Sequence, residues 1–255
     1  LLRRGPDDSG FWANEEHSIC LAHRRLSILD LSKTGRQPML SSNRRFILTF
    51  NGEIYNHKVL RKDIDKKYNY LFNWRGNSDT ETFLEYIQLF GINKTLHRSN
   101  GMFSFGLWDN YKKELFLVRD RFGEKPLYWG YISLNNSNGA KSLVFASELS
   151  AIFNLKGFQK SIDLKALKSY FRYGYVSGNR SIQKGIYHLG PGELLKIQAG
   201  KKGLLNEEYP NPIKWWDSFK KHNELKESYS KNNIFKNKNY FINYLERKLG
   251  DVIEE

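Results

Sequence analysis

Cysteine is nearly absent from this 255-residue chain. Cys20 stands alone, which excludes an internal disulfide framework and any multi-cysteine zinc site. Long apolar runs are also missing, and none approaches the ~18 residues of a membrane-spanning helix. Leu1-Leu2-Arg3-Arg4-Gly5-Pro6 has no apolar segment behind it, so no signal peptide is read there and a cytoplasmic location is the default expectation. The first residue is Leu rather than Met, which leads to the expectation of an internal slice of a longer protein. Acidic residues are outnumbered, 27 against 41 Lys and Arg, for a net charge of +14. The surplus lysine is interleaved with Asn, Ile, Tyr and Phe from Lys231 to Phe241, and no helix-turn-helix, zinc-finger or RNP-like pattern accompanies it. A solvated basic surface is therefore expected, with neither a nucleic-acid nor a membrane partner. Aromatics, by contrast, are plentiful: 17 Phe, 15 Tyr and 6 Trp suffice for a sizeable core, in one large domain or one domain and part of a second.

Along the chain, Arg4 to Gly10 is a turn-rich loop, Ile19 to His23 a short apolar run, and Leu26 to Asp30 alternates at strand period. A strand from Arg45 to Phe50 runs into Asn51-Gly52, read as a sharp turn because both residues tolerate positive φ, with a helix from about Lys58. Ser78-Asp79-Thr80-Glu81 has capping-box spacing ahead of Phe83, Leu84, Ile87 and Phe90, and Gly91 stops that helix. Two hairpins follow, Met102–Trp108 with Leu115–Val118 and Pro126–Tyr131 with Leu143–Ala146. Short helices are expected over Glu148–Phe153 and after Asp163, and a last strand over Leu194–Ile197. These elements imply an α+β layered domain with antiparallel sheets over 1–198, and a linker over 199–235. Phe241, Leu245, Leu249 and Ile253 then recur four apart, as in the first helix of an incomplete second domain over 236–255.

A site that cleaves the amide of a free amino acid needs a cation for its carboxylate, an anion for its ammonium and donors for the developing oxyanion. Arg25 closing a strand, Asp79 at a helix start and the Asn51-Gly52 pair are candidates for these tasks. Each also has an ordinary reading: a surface cation, a carboxylate against helix N–H groups, and a hairpin-type turn.

Taken together in order, Arg4-Gly5-Pro6-Asp7, Ala22-His23-Arg24-Arg25-Leu26-Ser27-Ile28, Asn51-Gly52-Glu53-Ile54-Tyr55-Asn56-His57, Ser78-Asp79-Thr80-Glu81, Gly101 to Phe105, Arg119 to Leu127 and Ala146-Ser147-Glu148 resemble the glutaminase domain of glutamine-hydrolysing asparagine synthetases. The resemblance covers residues 1 to about 198. It implies an αββα sandwich of two antiparallel sheets between helices, of the N-terminal-nucleophile hydrolase type. It also implies that Arg25 holds the glutamine carboxylate, Asp79 its ammonium, Asn51 and Gly52 the oxyanion, that Leu26, Ser27 and Ile28 border the pocket, and that Glu53 closes it. Ammonia would then pass to a second domain where ATP and Mg²⁺ activate aspartate; the glutaminase half itself would bind no metal and no cofactor. A homodimer is compatible with the resemblance.

Two parts of the family pattern are missing: the cysteine at a mature N-terminus and the Ser-Gly-Gly-x-Asp-Ser loop for ATP. Cys20 is read as a buried structural thiol with no free α-amine, so these residues alone are expected to be inactive. Two other readings stay open: an amidotransferase acting on another carboxylate, such as a sugar uronate, and a non-catalytic glutamine-binding domain.

Overall fold

The computed structural model describes residues 1–27, 30–133, 141–199, 210–231 and 238–254. Contacts divide the chain into two units, Leu1–Trp215 and Trp216–Glu255. In the first, β1 (Asp8–Asn14) and β2 (Ile19–Arg25) form a two-stranded hairpin. β3 (Met39–Leu40) and β4 (Phe46–Ile54) precede three helices, α1 (His57–Lys67), α2 (Asp79–Phe90) and α3 (Ile92–Arg98). The chain continues through β5 (Gly101–Asp109), β6 (Glu114–Arg119), β7 (Tyr128–Ser133), β8 (Lys141–Ala146), α4 (Leu149–Phe153), α5 (Leu164–Tyr173), β9 (Ile186–His188), β10 (Glu193–Gln198) and β11 (Ile213–Lys214). These strands make a six-stranded antiparallel sheet in the order β11-β10-β6-β5-β4-β3 and a three-stranded one in the order β8-β7-β9.

Strand alternation explains how the two sheets meet. On β4, β5, β6 and β10 one set of side chains, Ile47, Trp108, Leu115, Leu117, Leu195 and Ile197, is buried with Trp129 of the other sheet and with Leu127 and Leu189, which flank its strands β7 and β9. The opposite set turns to the helices: the Phe50 and Phe105 rings each lie 5.4 Å from Phe83 of α2. On the far side of the three-stranded sheet, Ile152 of α4 packs with Ile132 and Ile186. Helices, sheet, sheet and helix therefore stack as αββα, the expected α+β sandwich.

The capping box is half made. Ser78 Oγ accepts the Glu81 N–H at 3.1 Å, but the Glu81 carboxylate takes the N–H groups of Arg75 and Gly76 instead of turning back to Ser78. Three further expectations need correction. Asn51-Gly52 is not a turn: β4 runs straight through it to Ile54, because β5 supplies partners as far as Gly101. Leu26–Asp30 is not a strand at the described positions, since β2 ends at Arg25. Residues 210–215 join the first unit, with β11 on β10 and the Trp215 indole donating to the Arg119 carbonyl at 3.0 Å. The 135–139 connection lies outside the described residues.

The second unit holds α6 (Ser218–Lys231) and α7 (Lys238–Glu254), so much of the expected linker is helical. α7 carries the Phe241, Leu245, Leu249 and Ile253 stripe. No described helix is long and apolar enough to cross a membrane.

Candidate active site

The site is built on the free edge of β4. β3 covers this edge only as far as Leu48, leaving Phe50, Gly52 and Ile54 beyond it. In an antiparallel strand, alternate N–H groups point to the same side. The Phe50 N–H is taken by the Gln37 side-chain carbonyl at 2.6 Å, and the Ile54 N–H by Asp79 Oδ2 at 2.9 Å. Gly52 lies between them, so its N–H faces the same edge, and no acceptor among the described residues meets it. Gly52 has to be glycine for a steric reason: a Cβ there would sit 2.1 Å from the Met102 carbonyl oxygen and 2.6 Å from Phe103 Cα. Next to it, Asn51 shares a face with Ile47 and turns toward the second sheet, where its amide donates to Ser147 Oγ at 3.2 Å. An N–H and a carboxamide from consecutive residues are thus presented where the two sheets part.

Asp79 is the first residue of α2 and almost fully buried. Its other oxygen accepts the Thr80 N–H at 2.8 Å. Burial pushes its carboxyl above the usual carboxylate range, opposed in part by the bonds from Ile54 and Thr80 and by the nearby His57. An anion held this way, without a cationic side chain bonded to it, favours a ligand that brings a positive charge of its own.

Arg25 is also buried. Its guanidinium donates to the Ser32 carbonyl at 2.8 Å and to the Asp30 carbonyl, leaving further N–H groups of the fork. Gly35 makes room for it, since a Cβ there would lie 2.1 Å from Nη2. The Asp30 carboxylate ties this loop to the lead-in of α2. It accepts the Ser32 N–H at 2.8 Å, the Thr34 hydroxyl at 3.0 Å and the Asn77 N–H at 3.4 Å. Those bonds hold its carboxyl below the usual range even though burial opposes them. Arg25, the 30–34 loop, the 76–77 segment, Asp79 and the β4 edge therefore form one continuous set of contacts.

The other expected pocket residues fall as follows. Ser27 donates its N–H to Asp7 at 2.7 Å, and Leu26 is exposed. Glu53 is half-buried in β4 one residue past Gly52. Ile28 lies outside the described residues. Cys20 corrects an expectation: it is exposed, because alternation along β2 sends Leu21 into the core and Cys20 outward. It sits within the β1–β2 ladder opposite Ala13, and partial burial raises its thiol pKa, the reverse of nucleophile activation.

Several contributors escaped sequence reading. Gln37 caps the Phe50 N–H and Asp30 reaches the Asn77 N–H, contacts distant in sequence that no local pattern signals. Arg61 of α1 stacks over Trp74 at 3.9 Å and donates to the Gly76 carbonyl at 2.6 Å, fixing the segment before Asp79. Asp120, buried, accepts the N–H groups of Phe122, Glu124 and Lys125, which shapes the 120–125 loop.

The αββα stack thus offers donors at a strand edge beside a buried carboxylate and a buried arginine. The chain belongs to the glutamine amidotransferase domain family, which it matches over residues 1–209. It is 32% identical over 208 residues to asparagine synthetase [glutamine-hydrolyzing] 3 of Bacillus subtilis (strain 168), covering 80% of this chain and 31% of that protein. It is 35% identical over 199 residues to asparagine synthetase [glutamine-hydrolyzing] 2 of the same organism, covering 76% and 24%. The chain thus spans less than a third of the length of these curated relatives. Among solved structures, glutamine phosphoribosylpyrophosphate amidotransferase from B. subtilis aligns with 77% of this chain and 35% of its own, at 19% identity and a TM-score of 0.48, a likeness too loose to bear on function.

Proposed function

We propose that this chain is the glutamine-hydrolysing part of a cytoplasmic asparagine synthetase, in which ammonia freed from glutamine amidates aspartate at the expense of ATP. The observation that carries the reading is the β4 edge, where Gln37 and Asp79 occupy the flanking N–H groups and the Gly52 N–H is left available beside the Asn51 amide. Arg25 would grip the α-carboxylate through its remaining fork donors, as arginine suits a planar anion. Asp79 would take the α-ammonium, its buried charge then gaining a partner. Together these would direct the side-chain amide of glutamine toward Asn51 and Gly52, whose donors would stabilise the oxyanion as its carbonyl is attacked. Leu26, Ser27 and Ile28 would border the pocket and Glu53 would close it.

The nucleophile would come from outside these residues, because Cys20 lies within β2 with its nitrogen in a peptide bond. Among the described residues no group of three or more His, Cys, Asp or Glu side chains converges as a metal site requires. ATP, Mg²⁺ and aspartate belong, on this reading, to a further part of the parent enzyme, which is compatible with a homodimer. Asn51→Ala in the intact enzyme should lower glutamine turnover by about 10²–10³ while leaving synthesis from free ammonia nearly unchanged. Equal loss of both activities would refute the role. The 255 residues alone should release no ammonia from glutamine.

A further inference from the structure

Helices α1, α2 and α3 border an open cavity of about 1040 Å³ on the outer, helical side of the first unit. Lys66 and Lys67 line it from α1, Tyr86 and Phe90 from α2, and Lys94 and Arg98 from α3. The Lys67 Nζ lies 4.5 Å and the Lys94 Nζ 4.8 Å from the centroid of the same Phe90 ring. Two ammonium groups from different helices thus converge on one aromatic side chain, whose negative face offsets only part of their repulsion. No described carboxylate pairs with either. The one carboxylate of the lining, Asp63, is already engaged by Arg98 and by the Tyr86 hydroxyl, each at 3.4 Å.

The lining therefore carries several cationic side chains against one committed anion; the Lys67 ammonium donates to the Leu89 carbonyl at 3.4 Å and keeps further N–H groups, which no described carboxylate receives. Phe90 also packs on Tyr86 with ring centroids 4.4 Å apart, so its ring is occupied by the tyrosine and both ammoniums. A ligand is then recognised by its charge and oxygen atoms and not by stacking of a base. We propose that this cavity binds a small polyphosphate anion, held by Lys67 and Lys94 with Lys66 and Arg98 at its rim. The proposal is independent of the glutamine site, which lies at the β4 edge.

Titration calorimetry of the whole 255-residue chain with sodium pyrophosphate, in chloride buffer without divalent metal, tests it. Saturable binding at one site is expected, weakened at least tenfold in Lys67→Gln/Lys94→Gln and several-fold in Lys66→Gln. The charge-matched control Lys165→Gln/Lys168→Gln on α5 should bind as the parent does. These lysines are exposed, so unchanged unfolding midpoints will show that the fold is intact. Non-saturating binding, equal losses in the control and cavity variants, or equally tight binding of a glutamate-rich peptide would overturn the proposal.

Discussion

The two ends of the proposed glutamine pocket are built in different ways. Asn51, Gly52 and Asp79 sit on regular structure, a strand held along its length by β5 and a helix start whose residues 79–87 are all buried. Arg25 ends the two-stranded hairpin, and its guanidinium is held by loop carbonyls that a single carboxylate, Asp30, ties to the 76–77 segment. On the proposed reading the chemistry would rest on a frame that resists displacement, whereas recognition of the carboxylate would rest on a loop tied down through Asp30. Regular backbone holds donors to tenths of an ångström, which stabilising an oxyanion requires; a loop tolerates adjustment, which suits a ligand that has to enter and leave.

The strongest test of the contrast is Gly52→Ala. Its added methyl would meet the Met102 carbonyl, so either β4 or β5 must shift. We expect a loss of about 1–3 kcal/mol in urea unfolding and at least the 10²-fold loss of glutamine turnover predicted for Asn51→Ala. Unchanged stability would mean that the frame is softer than its ladder implies. Next comes Arg25→Lys, which keeps the charge but loses the fork and leaves the Asp30 and Ser32 carbonyls without it. The glutamine KM of the intact enzyme should rise about 10- to 100-fold with little change in kcat. A large fall in kcat with constant KM would place Arg25 outside carboxylate binding.

Asp30→Asn should have a smaller effect, about 1 kcal/mol, seen as a several-fold rise in KM that the Asn51 end does not share. Last is pH. The Asp79 carboxyl is raised by burial, so it gains a proton as pH falls through its raised pKa and stops offering an anion; glutamine affinity should drop there. Stability has the opposite sign. The folded protein binds the extra proton between the ordinary carboxylate value and the raised one, so stability declines as pH rises through that window. Asp79→Asn should remove both slopes. His23, lowered to about 4 first by burial and then by Arg25, adds a separate trend. The unfolded chain takes up its proton first, so stability falls as pH drops from about 6.5 through 4.

What could be read in the sequence was local or ladder-like. The Ser78 cap, the Gly91 stop, the Met102–Val118 hairpin and the helix after Asp163 all depend on residues near one another in sequence, and all are present. The Asn51-Gly52 pair was misread because its preference for a turn is weak beside a strand that β5 continues to pair. The reason for the glycine is the nearby Met102 carbonyl, which no local pattern announces. Cys20 was misplaced for a related reason: an apolar run looks buried throughout, but a two-stranded hairpin has one face covered, and alternation chose Leu21. The reach of Gln37 to Phe50 and of Asp30 to Asn77 could not be found, since the fold alone brings those residues close.

The occupied N–H groups on either side of Gly52 have one more consequence. A strand edge with several free amides in a row is a template on which another chain can add a strand. Gln37 and Asp79 stopper that edge on either side of Gly52, so among the described residues its amide alone stays open between them, too narrow an opening for an intruding strand but wide enough for a single oxygen. The same two side chains that frame a reactive aperture would then guard the sheet against self-association, and removing both should make the protein sticky before it makes it unstable.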